Sequence, residues 1–445
     1  MSLQTFIKNA ASVKPSARQM QWFETEFYAF IHFTVNTYTD LEWGYGTESP
    51  EIFNPYDLDC DEWVEAVKNT GMKGIVLTAK HHDGFCLWPS RYTEHSVKNS
   101  PWKNGHGDVV RECAEACKRG GLKFGVYLSP WDRNSEYYGT DAYNDYYCNQ
   151  LTELLTEYGE LFMVWFDGAC GEGPNGKKQV YDFDRYISLV RQYQPNAVIF
   201  NDHGPDVRWC GNEAGLARPA EWAVVPSELC SYAEIQTEAS PLAGDLSFLY
   251  NTDPEIGELC NIMYSKGLVF CGAEVDMSIR PGWFWHEKEE PHSVERLVQT
   301  YLNSCGANAS FHLNIPPMPS GRFDPRDLKR LQEFSEQLRA RFGEDKKLTY
   351  TSECIPLNDT QVKYEITLPE EADIGYLEMR EDLLHGQRIE NFRITVNGNC
   401  IYRGRTVGHR KICEIGKKTT HLTVHITGAR DTVMMRDITL YRKDG

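Results

Sequence analysis

Short apolar runs return at regular intervals along this chain, with helix-patterned stretches between them, and that recurrence narrows the possible folds more than any other feature. The runs are FYAFIHFTV (27–35), KGIVLTAKH (73–81), KFGVYLSP (123–130), LFMVWFDG (161–168), AVIFND (197–202), WAVVPS (222–227), GLVFCGAEV (267–275) and ASFHLNIPP (309–317). Continuous rather than alternating apolar runs of this length mark strands buried on both faces. Helical periodicity fills 61–71, 108–121, 143–159 and 183–195, and returns at about 293–304 and 324–342. Gly71, Gly121 and Gly159 close three of these segments, as helix C-termini often require. Eight strands alternating with helices predict an α/β fold, a (β/α)8 TIM-like barrel with some irregularity in its second half. A doubly wound open sheet is the alternative, but it usually brings a glycine-rich phosphate loop after its first strand, and none is present.

From about residue 345 the period shortens from 3.6 to 2. VKYEITLP (362–369), FRITVNGN (392–399), LTVHITG (422–428) and DITLYRK (437–443) alternate apolar with polar residues. Short alternating strands separated by turn residues predict a C-terminal antiparallel β-sandwich. The expected division is therefore a barrel over 1–344 and a sandwich over 345–445, joined at the charged stretch GEDKKLTY.

A net charge of −18 argues against nucleic acid or an anionic membrane surface as partner. Residues 345–445 carry 16 basic and 15 acidic side chains, so the acidic excess lies in the larger region. The fourteen cysteines show no CxxC pairing, and Cys113 and Cys117 read as buried free thiols in a helix. No apolar run reaches membrane-spanning length, and the first fifteen residues have no apolar leader core. As written the chain is expected to be cytoplasmic, or periplasmic or secreted if a leader was removed. Asn308 and Asn358 begin glycosylation sequons that matter only under export.

In a barrel the chemistry sits at the C-terminal ends of the strands. Reading those ends gives His32, then Glu42 and Trp43 in the following loop, His81 and His82, Tyr127, and Asp167. The stretch RWCGNEAG, read as the loop after the fifth strand, adds Glu213; the segment after the seventh adds Glu274, Arg280 and Trp283. Each residue also has a plain structural reading. Asp167 before Gly168 could start a turn, His32 could be a core histidine, Glu213 a solvated acid, and Trp43 and Trp283 packing residues. Adjacent His81 and His82 on a strand would face opposite sides, and no HxH or HExxH spacing occurs, so no metal site is expected. Convergence on one mouth is what favours chemistry. Two carboxylates flanking a bond, with histidines and aromatics around them, suit glycoside hydrolysis, which needs no cofactor.

The segments IHF, LEWGYGTESPEIFNP, AKHHDGFCLWPS, GVYLSPWDRN, VWFDGA and RWCGNEAG together resemble the α-L-fucosidases of glycoside hydrolase family 29. The resemblance runs in order through most of residues 20–320 and implies a barrel followed by a β-sandwich. It implies a retaining mechanism with Asp167 as nucleophile. His32, Glu42, Trp43, His81, His82 and Tyr127 match positions that hold the sugar, while Arg280 and Trp283 are expected to close the pocket. RWCGNEAG and AEVDMSIRPGWFWH resemble the subgroup acting on α-1,3/1,4-linked fucose of branched Lewis-type glycans. That assigns the acid/base to Glu213, with Glu274 and Glu228 in reserve. A fucosylated oligosaccharide or glycoconjugate is the implied partner. Broader specificity, including α-1,2 linkages and aryl fucosides, and a non-catalytic fucose-binding protein are the alternatives.

Overall fold

The computed structural model describes residues 2–202, 204–230, 256–265 and 267–443. Eight parallel strands close into a barrel: β1 (Phe27–Ile31), β2 (Gly74–Lys80), β3 (Lys123–Leu128), β4 (Met163–Trp165), β5 (Val198–Asn201), β6 (Val207–Trp209), β9 (Gly272–Ser278) and β10 (Ala309–Asn314). The strands run β1-β2-β3-β4-β5-β6-β9-β10, and β10 returns to pair with β1 in parallel. Nearly every residue on them is buried, as expected of strands with helices outside and packed side chains within.

Helix starts follow local chemistry. Asp59, Asp108, Asp182 and Ser293 each accept a backbone N–H from the first turn of the helix they precede. Asp324 does the same ahead of Pro325, whose missing N–H costs nothing at the first helical position.

Two of the expected strands are corrected. WAVVPS is not a barrel strand: β7 (Val224–Pro226) pairs antiparallel with β8 (Leu268–Phe270) in a separate two-stranded sheet. Its valines are buried elsewhere, Val224 with Trp22 and Phe270, Val225 with Leu229 and Cys271. The sixth barrel strand is instead β6, inside the stretch read as a loop. GLVFCGAEV correspondingly splits at Cys271, so Glu274 lies within β9 rather than after a strand.

The barrel interior is aromatic. Trp165 and Phe200 stack with centroids 4.1 Å apart, as do Phe30 and His312. Below them Glu274 accepts from the Trp165 indole at 2.8 Å and from the Tyr28 hydroxyl, and pairs with His312 at 3.1 Å.

After the helix Pro325–Phe342 the chain enters an antiparallel domain. Its strands are β11 (Thr351–Asn358), β12 (Gln361–Glu381), β13 (Ile389–Val396), β14 (Asn399–Arg405), β15 (Lys411–Ala429) and β16 (Met435–Arg442). Their hydrogen bonds form one continuous six-stranded sheet, because the long β12 and β15 pair with each other on both sides of a register shift near 367–372. One core, with Ile366, Leu377, Ile394, Leu422 and Leu440, serves the whole domain.

Buried charge joins the two parts. Arg410 reaches Glu26 at 3.1 Å, Glu378 at 2.7 Å and the Tyr301 hydroxyl at 2.7 Å, and Arg380 reaches Glu378 at 2.7 Å. Gln387 bridges Ala223 and Glu221 through their backbones. Among the described residues no helix is long and apolar enough to cross a membrane.

Candidate active site

The C-terminal ends of the strands bring most of the expected residues to one mouth. Asp167 follows β4 directly. Its Oδ1 accepts the Ala169 N–H at 2.7 Å, its Oδ2 accepts the Tyr127 hydroxyl at 3.0 Å, and His82 Nε2 lies 3.8 Å from Oδ2. The carboxylate is thus aimed and fixed, yet its side chain keeps about a quarter of its surface open.

The tautomers of two histidines follow from their hydrogen-bond networks. Asn314 donates its Nδ2 to Ser278 Oγ at 2.9 Å and to the Trp283 carbonyl at 2.8 Å, leaving its Oδ1 to accept from His32 Nδ1 at 2.8 Å. Ser129 donates to the Trp131 carbonyl at 2.7 Å, so its oxygen accepts from His82 Nδ1 at 2.7 Å. Each neutral imidazole therefore carries its proton on Nδ1 and leaves Nε2 as a bare acceptor. Burial holds the His32 imidazole down to about 3 and the His81 imidazole well below its ordinary range; burial also lowers His82, against the pull of Asp167. These rings are acceptors for hydroxyl groups, not cations. Burial, with the Asp167 charge and hydrogen bond, holds the Tyr127 phenol far up, so it remains a donor.

His81 and His82 do not face opposite sides. β2 ends at Lys80, the pair lies on the turn beyond it, and their rings sit 4.1 Å apart at the mouth. Strand alternation does not govern residues past the strand's end.

Glu42 organises the opposite wall. Its carboxylate accepts the backbone N–H of Trp283 at 2.9 Å and of Phe284 at 3.3 Å, and meets His286 Nε2 at 2.6 Å. Trp43, 57% exposed, stands edge-on to Trp131 and His82. Trp283 lies with its ring 5.1 Å from His32.

Arg280 is not at the pocket surface. Its guanidinium is buried against Asp327 at 2.8 Å and Asp324 at 2.9 Å, and donates to the Glu289 carbonyl at 2.5 Å. It braces the loop carrying Trp283 from behind.

Three acids were expected as proton donors. Glu213 follows β6 on an exposed segment. Partial desolvation of its carboxyl and the nearby charges of Asp167 and Glu42 raise its pKa, partly offset by the Trp283 indole as donor. Glu274 is sealed inside the barrel with every oxygen engaged by Tyr28, Trp165 and His312, where no substrate atom can reach. Glu228 sits on the turn after β7, outside the barrel, with Ser227 donating to it at 3.2 Å.

Four polar groups at the mouth were missed. Asp202 closes the apolar run AVIF as Asp167 closes LFMVWF, so the rule that selects one selects both. Asp276 faces inward two residues beyond Glu274 and accepts the Trp209 indole at 2.8 Å. Asn314 ends β10. His286, between Asp40 and Glu42, had no signal in its local pattern. Burial drives the Asp276 carboxyl far up, helped by Glu274 and Glu213, and burial beside Asp167 pushes Asp202 up to about 7.

The mouth thus combines an oriented carboxylate, a facing carboxyl with a raised pKa, acceptor imidazoles and flat aromatic surfaces. Such a set can bind a sugar and break the bond between its anomeric carbon and a leaving oxygen.

Comparison with known proteins agrees. A family model described as alpha-L-fucosidase matches residues 6–218. Alpha-L-fucosidase 1 of Arabidopsis thaliana is 41% identical over 433 residues, covering 89% of this chain and 81% of its own. The crystal structure of a glycoside hydrolase 29 family member from an unknown rumen bacterium superposes with a TM-score of 0.85 at 37% identity, over 98% of this chain and 78% of that one. A Ruminococcus gnavus GH29 fucosidase in complex with fucose gives 0.82 at 28% identity, over 97% and 95%. The chain belongs to the α-L-fucosidases of glycoside hydrolase family 29.

Proposed function

We propose that this α-L-fucosidase is a retaining exo-enzyme that releases terminal α-1,3/1,4-linked L-fucose from branched, Lewis-type glycans. The observation that carries the mechanism is the pair Asp167 and Glu213. One carboxylate is oriented by Tyr127 and the Ala169 amide, and the other has its pKa raised by burial and by the charge of the first.

Asp167 Oδ attacks the anomeric carbon as the bond to the leaving oxygen breaks. Glu213 gives that oxygen its proton, so the aglycone departs as a neutral alcohol and the sugar remains as an ester of Asp167. Ester formation removes the charge that had raised the Glu213 pKa. Glu213, now a carboxylate, takes a proton from water as the water oxygen attacks the same carbon and Asp167 leaves. Two inversions return the α-anomer.

The remaining mouth groups hold the sugar. His32 and His82 accept sugar hydroxyls through Nε2, Tyr127 keeps its proton beside Asp167, and Trp43 and Trp283 cover the apolar edges. His81 adds a buried Nδ1 without a protein partner among the described residues. Glu42 acts through the loop it fixes as well as at the pocket wall. The linkage preference rests on the resemblance of the Glu213 and Trp283 segments to the α-1,3/1,4 subgroup.

A proton NMR time course on a Lewis-type trisaccharide, beside an aryl α-L-fucoside, tests both parts. Early appearance of α-fucose from the trisaccharide, with little from the aryl compound, is expected. First release of β-fucose would overturn retention. Rapid aryl hydrolysis with the trisaccharide intact would overturn the branched-linkage reading.

A further inference from the structure

Gly168 follows Asp167, and its backbone does not need a left-handed angle. The reason for a glycine there is a neighbour. A Cβ placed on Gly168 would lie 2.0 Å from Asp202 Oδ2, 2.3 Å from its Cγ and 2.6 Å from Oδ1. The carboxyl of Asp202 therefore lies flat on the Gly168 Cα, and it accepts the Gly168 backbone N–H. β5 runs beside β4 in register, with Phe200 paired to Trp165, which carries Asp202 to the level of the Asp167–Gly168 peptide. Phe166 N–H donates to the Phe200 carbonyl at 3.0 Å, and Asn201 donates to the Phe166 carbonyl at 3.2 Å. The end of β5 thus grips the chain on both sides of Asp167.

We infer that Asp202 is a positioning residue for the Asp167 nucleophile, and that Gly168 is required to let its carboxyl close on the peptide that follows. The inference rests on Asp167 being the nucleophile. From one side, Tyr127 and the Ala169 amide aim the carboxylate; from below, Asp202 fixes the plane of the next peptide. Because its burial beside Asp167 raises its pKa, Asp202 still carries its proton over part of the pH range, which limits the charge crowded into the mouth. A carboxyl holding a proton and accepting an amide N–H is matched in shape by an asparagine side chain. A misplaced nucleophile costs turnover far more than binding, on the order of 10²-fold for a displacement of about 1 Å.

The test compares Asp202→Ala, Asp202→Asn, Gly168→Ala and the Gly168→Ala/Asp202→Ala pair, with kcat and KM measured on a Lewis-type trisaccharide. Asp202→Ala and Gly168→Ala are each expected to lower kcat by about 10²-fold with KM within about twofold. Asp202→Asn is expected to keep most of kcat, because it still accepts the Gly168 N–H. The double variant is expected to be no worse than Asp202→Ala, since the methyl added at position 168 then meets no carboxyl. Wild-type kcat in Asp202→Ala, or KM rising in step with the loss of kcat, would overturn the inference. So would fully additive losses in the double variant. Should Asp202→Ala not fold, Gly168→Ala and Asp202→Asn carry the same decision. Asp167→Asn is the control: turnover there removes the nucleophile reading itself, whereas an inactive Asp167→Asn with an unimpaired Asp202→Ala removes this inference alone.

Discussion

Two groups of carboxyl side chains in this molecule, one at the domain junction and one at the barrel mouth, are treated in opposite ways. At the junction between barrel and C-terminal sheet, Glu26 and Glu378 lie among Arg380, His409 and Arg410. Burial alone would raise them, but the guanidinium groups outweigh it and hold both below the ordinary carboxylate range. At the mouth, burial moves Asp202, Asp276 and Glu213 upward, helped by the charge of Asp167 at Asp202, of Glu274 and Glu213 at Asp276, and of Asp167 and Glu42 at Glu213. The side chains are the same type, and the supply of cations sets the sign. At the junction, arginine keeps the carboxylates charged; at the mouth, where no arginine pairs with them, the carboxyls are biased toward the protonated form. Arg280 lies near the mouth but spends its charge on Asp324 and Asp327 behind the wall, and at Asp327 burial outweighs that pairing and pushes the carboxyl up to about 6.

The sharpest way to break this comparison is to remove the charge at Asp167. Asp167→Asn keeps the shape and an oxygen to accept the Ala169 N–H, and its amide N–H can donate to the Tyr127 hydroxyl oxygen, so folding should be untouched. The kcat on the trisaccharide should fall by about 10⁴-fold or more, with sugar binding by calorimetry retained. Next is Glu213→Gln, for which general acid–base catalysis predicts a loss of about 10²–10⁴-fold on the trisaccharide. That loss should shrink on an aryl fucoside whose leaving group needs no proton, in whatever measure that substrate is accepted. Equal losses on both would place the proton donor elsewhere.

The junction should respond in stability rather than in turnover. Arg410→Met leaves Glu26 and Glu378 with Arg380 and Lys73 as their remaining cations. Breaking a buried pair from one side costs about 3–5 kcal/mol, and the surviving cations place this site near the lower end. Thermal melts should show the loss, while kcat per folded molecule stays within about twofold. A large fall in kcat would mean the two regions are coupled.

The sequence displayed this division unevenly. Strand ends were readable because a buried parallel strand is an apolar run, and a polar residue ending such a run has few places to go but the mouth; His32, Tyr127 and Asp167 were found that way. Strand ends are hidden where strength of pattern misleads. VRW is three residues with a charge in the middle and reads as loop, yet as β6 it carries Trp209 to the mouth and leads to Glu213. WAVVPS is more apolar and is buried outside the barrel. Glu274 was misplaced by a break at Cys271 that no residue announces. Arg280 was read as a pocket residue because its partners, Asp324 and Asp327, lie more than forty positions away. Long-range pairing of charge is what a linear reading sees least.

The smallest expected effect separates the two regions by pH. Asp202 has a folded pKa of about 7 against an ordinary value of 3.8, so between those limits the folded chain holds a proton that the unfolded chain has lost. Its contribution to stability is therefore present at acid pH, declines as pH rises from about 4 to about 7, and is constant above. Glu26 behaves oppositely: its folded pKa is depressed, so its contribution is complete above the unfolded value near 4.5 and is lost as pH falls below it. Asp202→Asn cannot titrate. Its melting temperature relative to the parent should rise from pH 5 to pH 8, by an amount equivalent to about 2 kcal/mol. Glu26→Gln should instead be destabilised by a constant amount across that interval, with the penalty shrinking below pH 4.5. A flat difference for Asp202→Asn would mean that its carboxyl is ionised throughout, like those at the junction, and that the mouth does not withhold cations from it.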